Sequence, residues 1–270
     1  MKIQTHYFNP PVTSPGHHNF GDMLVPIILR FLTNNKYNIE YVIRDIQGKL
    51  LCIGSELASG VVLQENDVIF GYGAKLEKPI DIPKGVEILS VRGPLTRELI
   101  NIDNVPEIYG DPAILMPLIY SAGSAVCKYR IGIIPHYVDK PLFNHLLLSD
   151  DTILIDINQS PYDVIQQILS CDIILSTSLH GAIVAEAYGK KVVWLQASNK
   201  IGGFIFKWLD YLVSTGRPDN IQPVIYDGVE NPNEYIKYAL PPPSNLSFLQ
   251  QGLLNTWKEN EQYILSTCQG

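Results

Sequence analysis

Residues 171–195, CDIILSTSLHGAIVAEAYGKKVVWL, constrain the fold more than any other stretch of this chain. A short, mostly apolar run, Asp172 to Leu175, passes through small polar residues to His180 and Gly181. Ala182, Ile183, Ala185, Glu186 and Ala187 then read as helix, and Val192 to Leu195 as a second buried strand. Strand, loop, helix and strand in so few residues belong to a parallel sheet. The loop that leaves a strand's carboxyl end and enters a helix collects exposed side chains and unpaired N–H groups, so it favours anions. His180 falls in that loop. Two readings stay open: Ser176, Thr177 and Ser178 cap the helix with His180 packed nearby, or the loop is a binding site.

The rest of the chain supplies more units of the same kind. Lys2 to Phe8 reads as an opening strand, and Asn19 to Asp22 (NFGD) as the turn into a helix over Met23 to Thr33. There Gly21 permits close backbone approach to a ligand, while Asp22 either caps the helix or binds a ligand hydroxyl. Tyr41 to Arg44 and Lys49 to Ile53 are candidate strands. Val68 to Gly73 is a β-branched run whose Gly71 and Gly73 make a tight turn or admit a ligand; it is no GxGxxG fingerprint. Val86 to Val91 delivers Arg92 to a strand's carboxyl end, where a guanidinium suits a carboxylate or phosphate, or bridges domains. A helix follows over Leu95 to Ile100, then a short strand from Pro106 to Asp111, where Asp111 orients a catalytic group or fixes the turn.

Residues 118–128 read as a linker, and Arg130 to Pro135 restarts the alternation with His136 and Tyr137 at its carboxyl end. A helix is expected from there through Leu146, a strand over Ile153 to Ile157 and a helix over Tyr162 to Leu169. His136 and His180 thus follow sheet strands at one edge and can converge on one cleft. Beyond Lys200, Gly202 and Gly203, the spacing of Phe204, Trp208 and Tyr211 predicts a helix with an aromatic core face. Asp219 to Leu246 reads as Pro-rich loop and Leu249 to Leu265 as a closing helix. The order predicts α/β architecture: two doubly wound Rossmann-like domains facing a cleft, 1–122 and 123–244, with 245–270 able to pack back on the first.

Composition narrows the functional classes. With 46% hydrophobic and 17% charged residues, 270 residues suffice for two ordinary globular domains. The amino-terminal MKIQTHYFNPP lacks the apolar core of a secretory signal, and no apolar run approaches the roughly 20 residues of a membrane span, so a cytoplasmic location is expected. Cys52, Cys127, Cys171 and Cys268 are too scattered for a zinc site or disulfide framework. A net charge of −7 argues against nucleic acid as a partner, so an anionic substrate needs a local cluster of Arg, Lys and His.

Asn19 to Asp22 (NFGD), Gly71 and Gly73 (GYG), Ser90 to Thr96 (SVRGPLT), Gly110 to Ala113 (GDPA), the SLHG turn and Lys200 in SNKIGGFIFKWLDYL occur in an order that resembles the polysaccharide pyruvyltransferase family. The likeness covers most of residues 19–212. It implies the two-domain arrangement of B-type glycosyltransferases and transfer of pyruvate from phosphoenolpyruvate to a sugar of an exopolysaccharide or capsule precursor, as a cyclic ketal. Such chemistry requires an acid or base active near neutrality and cations for carboxylate and phosphate. Under it His180 is the acid/base, with Arg92 and Lys200 as anion clamp. Ser178, Leu179, Gly181 and His136 then border the donor, and Asn19, Gly21, Asp22, Gly71, Gly73 and Asp111 the acceptor. No metal or other cofactor is called for. Partners are phosphoenolpyruvate and a sugar or lipid-linked oligosaccharide, the latter a route to peripheral membrane association. Several family members carry Arg two positions before the LHG histidine where this chain has Ser178, so that anion contact is absent or supplied differently. The alternatives are a glycosyltransferase using a nucleotide sugar and a noncatalytic carbohydrate-binding relative.

Overall fold

A computed structural model describes residues 2–269 except 12, 15, 60, 124, 125, 147, 229 and 230. Among these, ten strands form two five-stranded sheets in which every strand pair is parallel. The first sheet holds β1 (Lys2–Thr5), β2 (Asn38–Tyr41), β3 (Leu50–Leu51), β4 (Val68–Tyr72) and β5 (Glu87–Val91), in the order β2-β1-β3-β4-β5. The second holds β6 (Tyr129–Ile134), β7 (Thr152–Leu154), β8 (Cys171–Ser176), β9 (Lys191–Gln196) and β10 (Val224–Ile225), in the order β7-β6-β8-β9-β10. Counted from its own first strand, each sheet therefore runs 2-1-3-4-5. In such a sheet the chain winds outward in both directions from the first strand. A crevice opens between the first and third strands, at their carboxyl ends. These crevices lie at β1/β3 and β6/β8.

The helices are α1 (Phe20–Leu32), α2 (Pro94–Glu98), α3 (Met116–Ile119), α4 (Pro161–Leu169), α5 (Leu179–Ala187), α6 (Phe204–Ser214) and α7 (Leu246–Thr267). Strands buried on both faces must be apolar at successive positions, which is why their sequences are nearly continuous hydrophobic runs. In β9, Val192 and Trp194 join one core and Val193 and Leu195 another. In β4, Val68 and Phe70 face one way and Ile69 and Tyr72 the other. One large core runs beneath α1, α4, α5 and α7 and includes Ile28, Ile168, Ile183 and Trp257.

Helix α7 returns to the first sheet. The Trp257 ring meets Phe70 edge-on with centroids 5.5 Å apart, Gln250 Nε2 donates to Ile114 O at 2.7 Å, and Gln4 N donates to Cys268 O at 2.8 Å.

Several elements differ from the sequence expectation. The second strand lies at Asn38–Tyr41 and shares only Tyr41 with the expected Tyr41 to Arg44. Residues 106–111 form no strand beyond a single bridge of Tyr109 to Val91, and a 3₁₀ turn, Pro112–Leu115, follows at once. The helix expected after Tyr137 shrinks to the 3₁₀ turn Lys140–Phe143, where Phe143 is the one buried residue; Pro141 lacks the N–H that would continue a helix begun at Tyr137. The stretch read as loop contains β10, paired to β9, and the 3₁₀ segment Pro232–Tyr238. Two residues are too few to give a strand pattern. Among the described residues no helix is long and apolar enough to cross a membrane.

Candidate active site

The two crevices face one another and form a cleft of about 180 Å³. From the first lobe it takes Phe8 after β1, Asn19 and Asp22 at the start of α1, Ser55 and Glu56 after β3, and Lys75 after β4. The second lobe supplies His136 after β6, Thr177, Ser178, Leu179 and His180 after β8, and Lys207 on α6. Strand ends distant in sequence thus line one cleft.

Hydrogen bonds knit the β6 and β8 ends together. Thr177 N donates to Ile134 O at 3.1 Å, and His136 N donates to Thr177 Oγ1 at 2.8 Å. Ser178 Oγ accepts from Gly181 N at 3.3 Å, so this residue caps α5 while also lining the cleft. His136 Nδ1 accepts from Val138 N at 3.3 Å, which leaves the ring proton on Nε2. Burial, then the charges of Lys207, His180 and Lys75, push its pKa down to about 3. It is a neutral donor at physiological pH.

His180 stands between the lobes. Its Nε2 lies 3.3 Å from Asp111 Oδ2, within ion-pair distance, and neither buried atom makes a hydrogen bond to a described residue. Asp111 is fully buried, and its Oδ1 accepts from Ala113 N at 3.0 Å, so the carboxylate is held in place beside the imidazole. Nδ1 makes no hydrogen bond to a described residue. It faces Gly21, where a Cβ would sit 2.0 Å from it, so glycine there lets the histidine stand upright in the cleft. Gly71 contributes at one remove. Its φ of +74° bends β4, and Pro112 packs where a side chain would be, with Cδ 2.3 Å from an ideal Cβ. That seats the turn carrying Asp111.

On the opposite wall Asp22 is buried, with Oδ1 accepting from Phe8 N at 3.2 Å and Oδ2 from the Asn19 amide. It lies inside α1 and does not cap it; Asn19 holds the N-cap position, without a side-chain cap bond. Burial raises the Asp22 pKa to about 6, against the lowering effects of Asn19, His180 and the Phe8 amide. A carboxyl raised in the folded state stabilises the fold below its unfolded pKa of 3.8 and loses that contribution as pH rises through about 6. The shift corresponds to about 3 kcal/mol. Asp22→Asn should therefore gain stability over the parent at pH 7.5 and lose the gain near pH 4, as read from melting curves. A difference independent of pH would show that Asp22 does not carry the shift.

The other expected site residues lie elsewhere. Arg92 is fully buried and does not reach the cleft: Nε donates to Asp210 Oδ2 at 2.9 Å, one Nη to Ser55 Oγ at 2.5 Å and the other to Ala74 O at 2.8 Å. With every one of these nitrogens engaged and no face open, it bridges the lobes and is not placed to clamp an anion. Gly73 makes room for it, since a Cβ there would lie 2.2 Å from Arg92 Cζ. Lys200 is exposed and outside the cleft lining, because Ser198 turns the chain by accepting from Lys200 N. Gly181 packs on Ile134 and Gly71 on Pro112, both away from the cleft.

Lys75, Lys207, Glu56 and Ser55 enter the site without having been singled out from sequence. Lys207 left one trace: it interrupts the apolar face of FIFKWLDYL, where a charge has no packing reason to be. Lys75, beyond GYG, had the same weak signature as any surface lysine.

A two-lobed α/β protein whose facing strand-end crevices enclose a polar cleft is what fold and site define. Residues 19–199 match the model of the polysaccharide pyruvyl transferase family, and the chain belongs to that family. It is 36% identical over 157 residues to uncharacterized protein L143 of Acanthamoeba polyphaga mimivirus, covering 55% of this chain and 54% of that protein. It is 31% identical over 150 residues to the succinoglycan biosynthesis protein ExoV of Rhizobium meliloti (strain 1021), covering 54% and 46%. The chain spans about half the length of these curated relatives.

Proposed function

We propose that the protein transfers a pyruvyl unit from phosphoenolpyruvate to two hydroxyls of a sugar in a polysaccharide precursor. The observation that carries this reading is the Asp111–His180 pair at a cleft that Lys75, Asp22 and Glu56 line from the first lobe and Lys207 from the second. Protonation of the donor's methylene carbon leaves the adjacent carbon electrophilic, and a sugar hydroxyl adds to it. Phosphate departs with the C–O bonding pair, the second hydroxyl closes the ketal, and both hydroxyl protons are released. His180 Nδ1 is the ring nitrogen for proton transfer, with Asp111 steadying the imidazolium. His136 Nε2–H donates to donor oxygens, while Asp22, Asn19 and Glu56 receive acceptor hydroxyls.

In this reading the lobes are disposed as in B-type glycosyltransferases, and the acceptor is a sugar or lipid-linked oligosaccharide. The reaction takes place in the cytoplasm, where its donor is made. Incubation with phosphoenolpyruvate and lipid-linked sugar acceptors should yield a product heavier by one pyruvyl ketal and an equal amount of inorganic phosphate. Consumption of a nucleotide sugar with no phosphoenolpyruvate turnover would replace this reading with glycosyl transfer.

A further inference from the structure

Two ammonium groups reach the cleft unpartnered, one from each lobe. Lys75 follows β4 and Lys207 lies on α6, and neither Nζ has a hydrogen bond or ion pair to a described residue. For Lys207 the cause is local. Asp210, one turn later on the same helix, has Oδ1 taken by Thr96 N at 2.8 Å and Oδ2 by Arg92 Nε at 2.9 Å and Thr96 Oγ1 at 2.6 Å. Of the cleft carboxyls, Asp22 is bound to Phe8 N and Asn19, and Glu56 accepts from Tyr72 OH with His6 nearby.

Lys75 is guided to its place by two glycines. An ideal Cβ on Gly202 would lie 2.7 Å from Lys75 Cε and 3.4 Å from its Nζ, and one on Gly203 would lie 1.8 Å from Lys75 O. Any side chain there would displace the lysine arm, so the entry to α6 is built as a channel for it. Burial, then the charges of Arg92 and Lys75, lower the Lys207 pKa to about 7, with Asp22 opposing. Two cations that line one cleft repel, and an anion between them relieves the repulsion.

We propose that Lys75 and Lys207 form the anion clamp of this cleft, each lobe contributing one ammonium to the phosphate and carboxylate oxygens of a small phosphorylated carboxylic acid. The carboxylate part of the assignment rests on the pyruvyl-transfer reading; the phosphate part stands on the cation pair alone. The clamp thus spans the lobes.

The test measures binding of inorganic phosphate and, separately, phosphoenolpyruvate to the full chain by calorimetry, for the parent, Lys75→Met and Lys207→Met. Each variant should bind both anions roughly ten- to a hundredfold more weakly, the loss expected for one charge-assisted contact. Without ligand, Lys207→Met should melt no lower than the parent, since it removes an unpaired, poorly hydrated charge. Unchanged binding of both anions in both variants would overturn the clamp, as would a parent protein that binds neither. Lysine-dependent binding of phosphate without tighter binding of phosphoenolpyruvate would keep the clamp and reject the pyruvyl donor. Lys75→Met carries the test if Lys207→Met fails to fold, because Lys75 lies in a loop after β4 and not within a core-packed helix.

Discussion

His180→Gln should lower turnover by roughly a hundredfold or more, the contribution typical of a positioned acid–base group. Glutamine retains the side chain's reach and can donate to Asp111 Oδ2, the partner 3.3 Å from Nε2, so the fold is kept. It cannot hold and release a proton near neutrality. Donor affinity should change far less, because Lys75, Lys207 and His136 remain in the cleft. The measurements are initial rates across donor concentrations, with a melting curve to verify folding. A well-folded variant with parental turnover would remove His180 from proton transfer. Loss of donor binding in step with turnover would make it a donor contact.

Arg92→Met should cost about 3 to 5 kcal/mol of folding stability, the usual result of removing one partner from a fully buried ion pair. Asp210 would keep its two Thr96 contacts yet face an apolar chain where the guanidinium lay. The site cannot rehydrate readily. Gly93 is pressed against Asp210 O, where a Cβ would sit 2.0 Å away, and Gly73 against the Arg92 guanidinium. Chemical denaturation of the two proteins checks the figure, and Arg92→Met with Asp210→Leu should recover part of the loss. The contrast with an anion clamp is sharp: such a role would reduce donor affinity and leave stability intact. Stability equal to the parent would mean that the lobes do not depend on this bridge.

Much of this architecture was legible in sequence because parallel strands buried on both faces write themselves as apolar runs. The β8–α5–β9 unit is the plainest case, and the positions of His136 and His180 after strands led to a shared cleft. The repetition of winding order between the two sheets left no internal repeat in sequence, since topology constrains polarity and element length far more than residue identity. The GYG glycines were legible as points of close approach but not as to what approaches: the neighbours are Pro112 and Arg92, parts of the same chain. Arg92 shows the same limit. A cation at a strand's carboxyl end looks alike whether it meets a ligand or a buried carboxylate, and its partner Asp210 lies 118 residues away. Lys75 was beyond reach because its role depends on Gly202 and Gly203 of the other lobe.

The return of α7 to the first sheet has a consequence for how the polypeptide is made. Strands β1 to β5 leave the ribosome first, yet Leu253 and Trp257, which cover the face carrying Phe70, are translated only after the second sheet is complete. Strands β6 to β10 run without interruption by segments from the other lobe, so the later half of the chain can finish its sheet while the earlier half waits with an apolar face open. Vectorial synthesis normally lets the first-made unit fold first. Here the order of completion is reversed: the nascent first sheet keeps the face carrying Phe70 uncovered until α7 has been made.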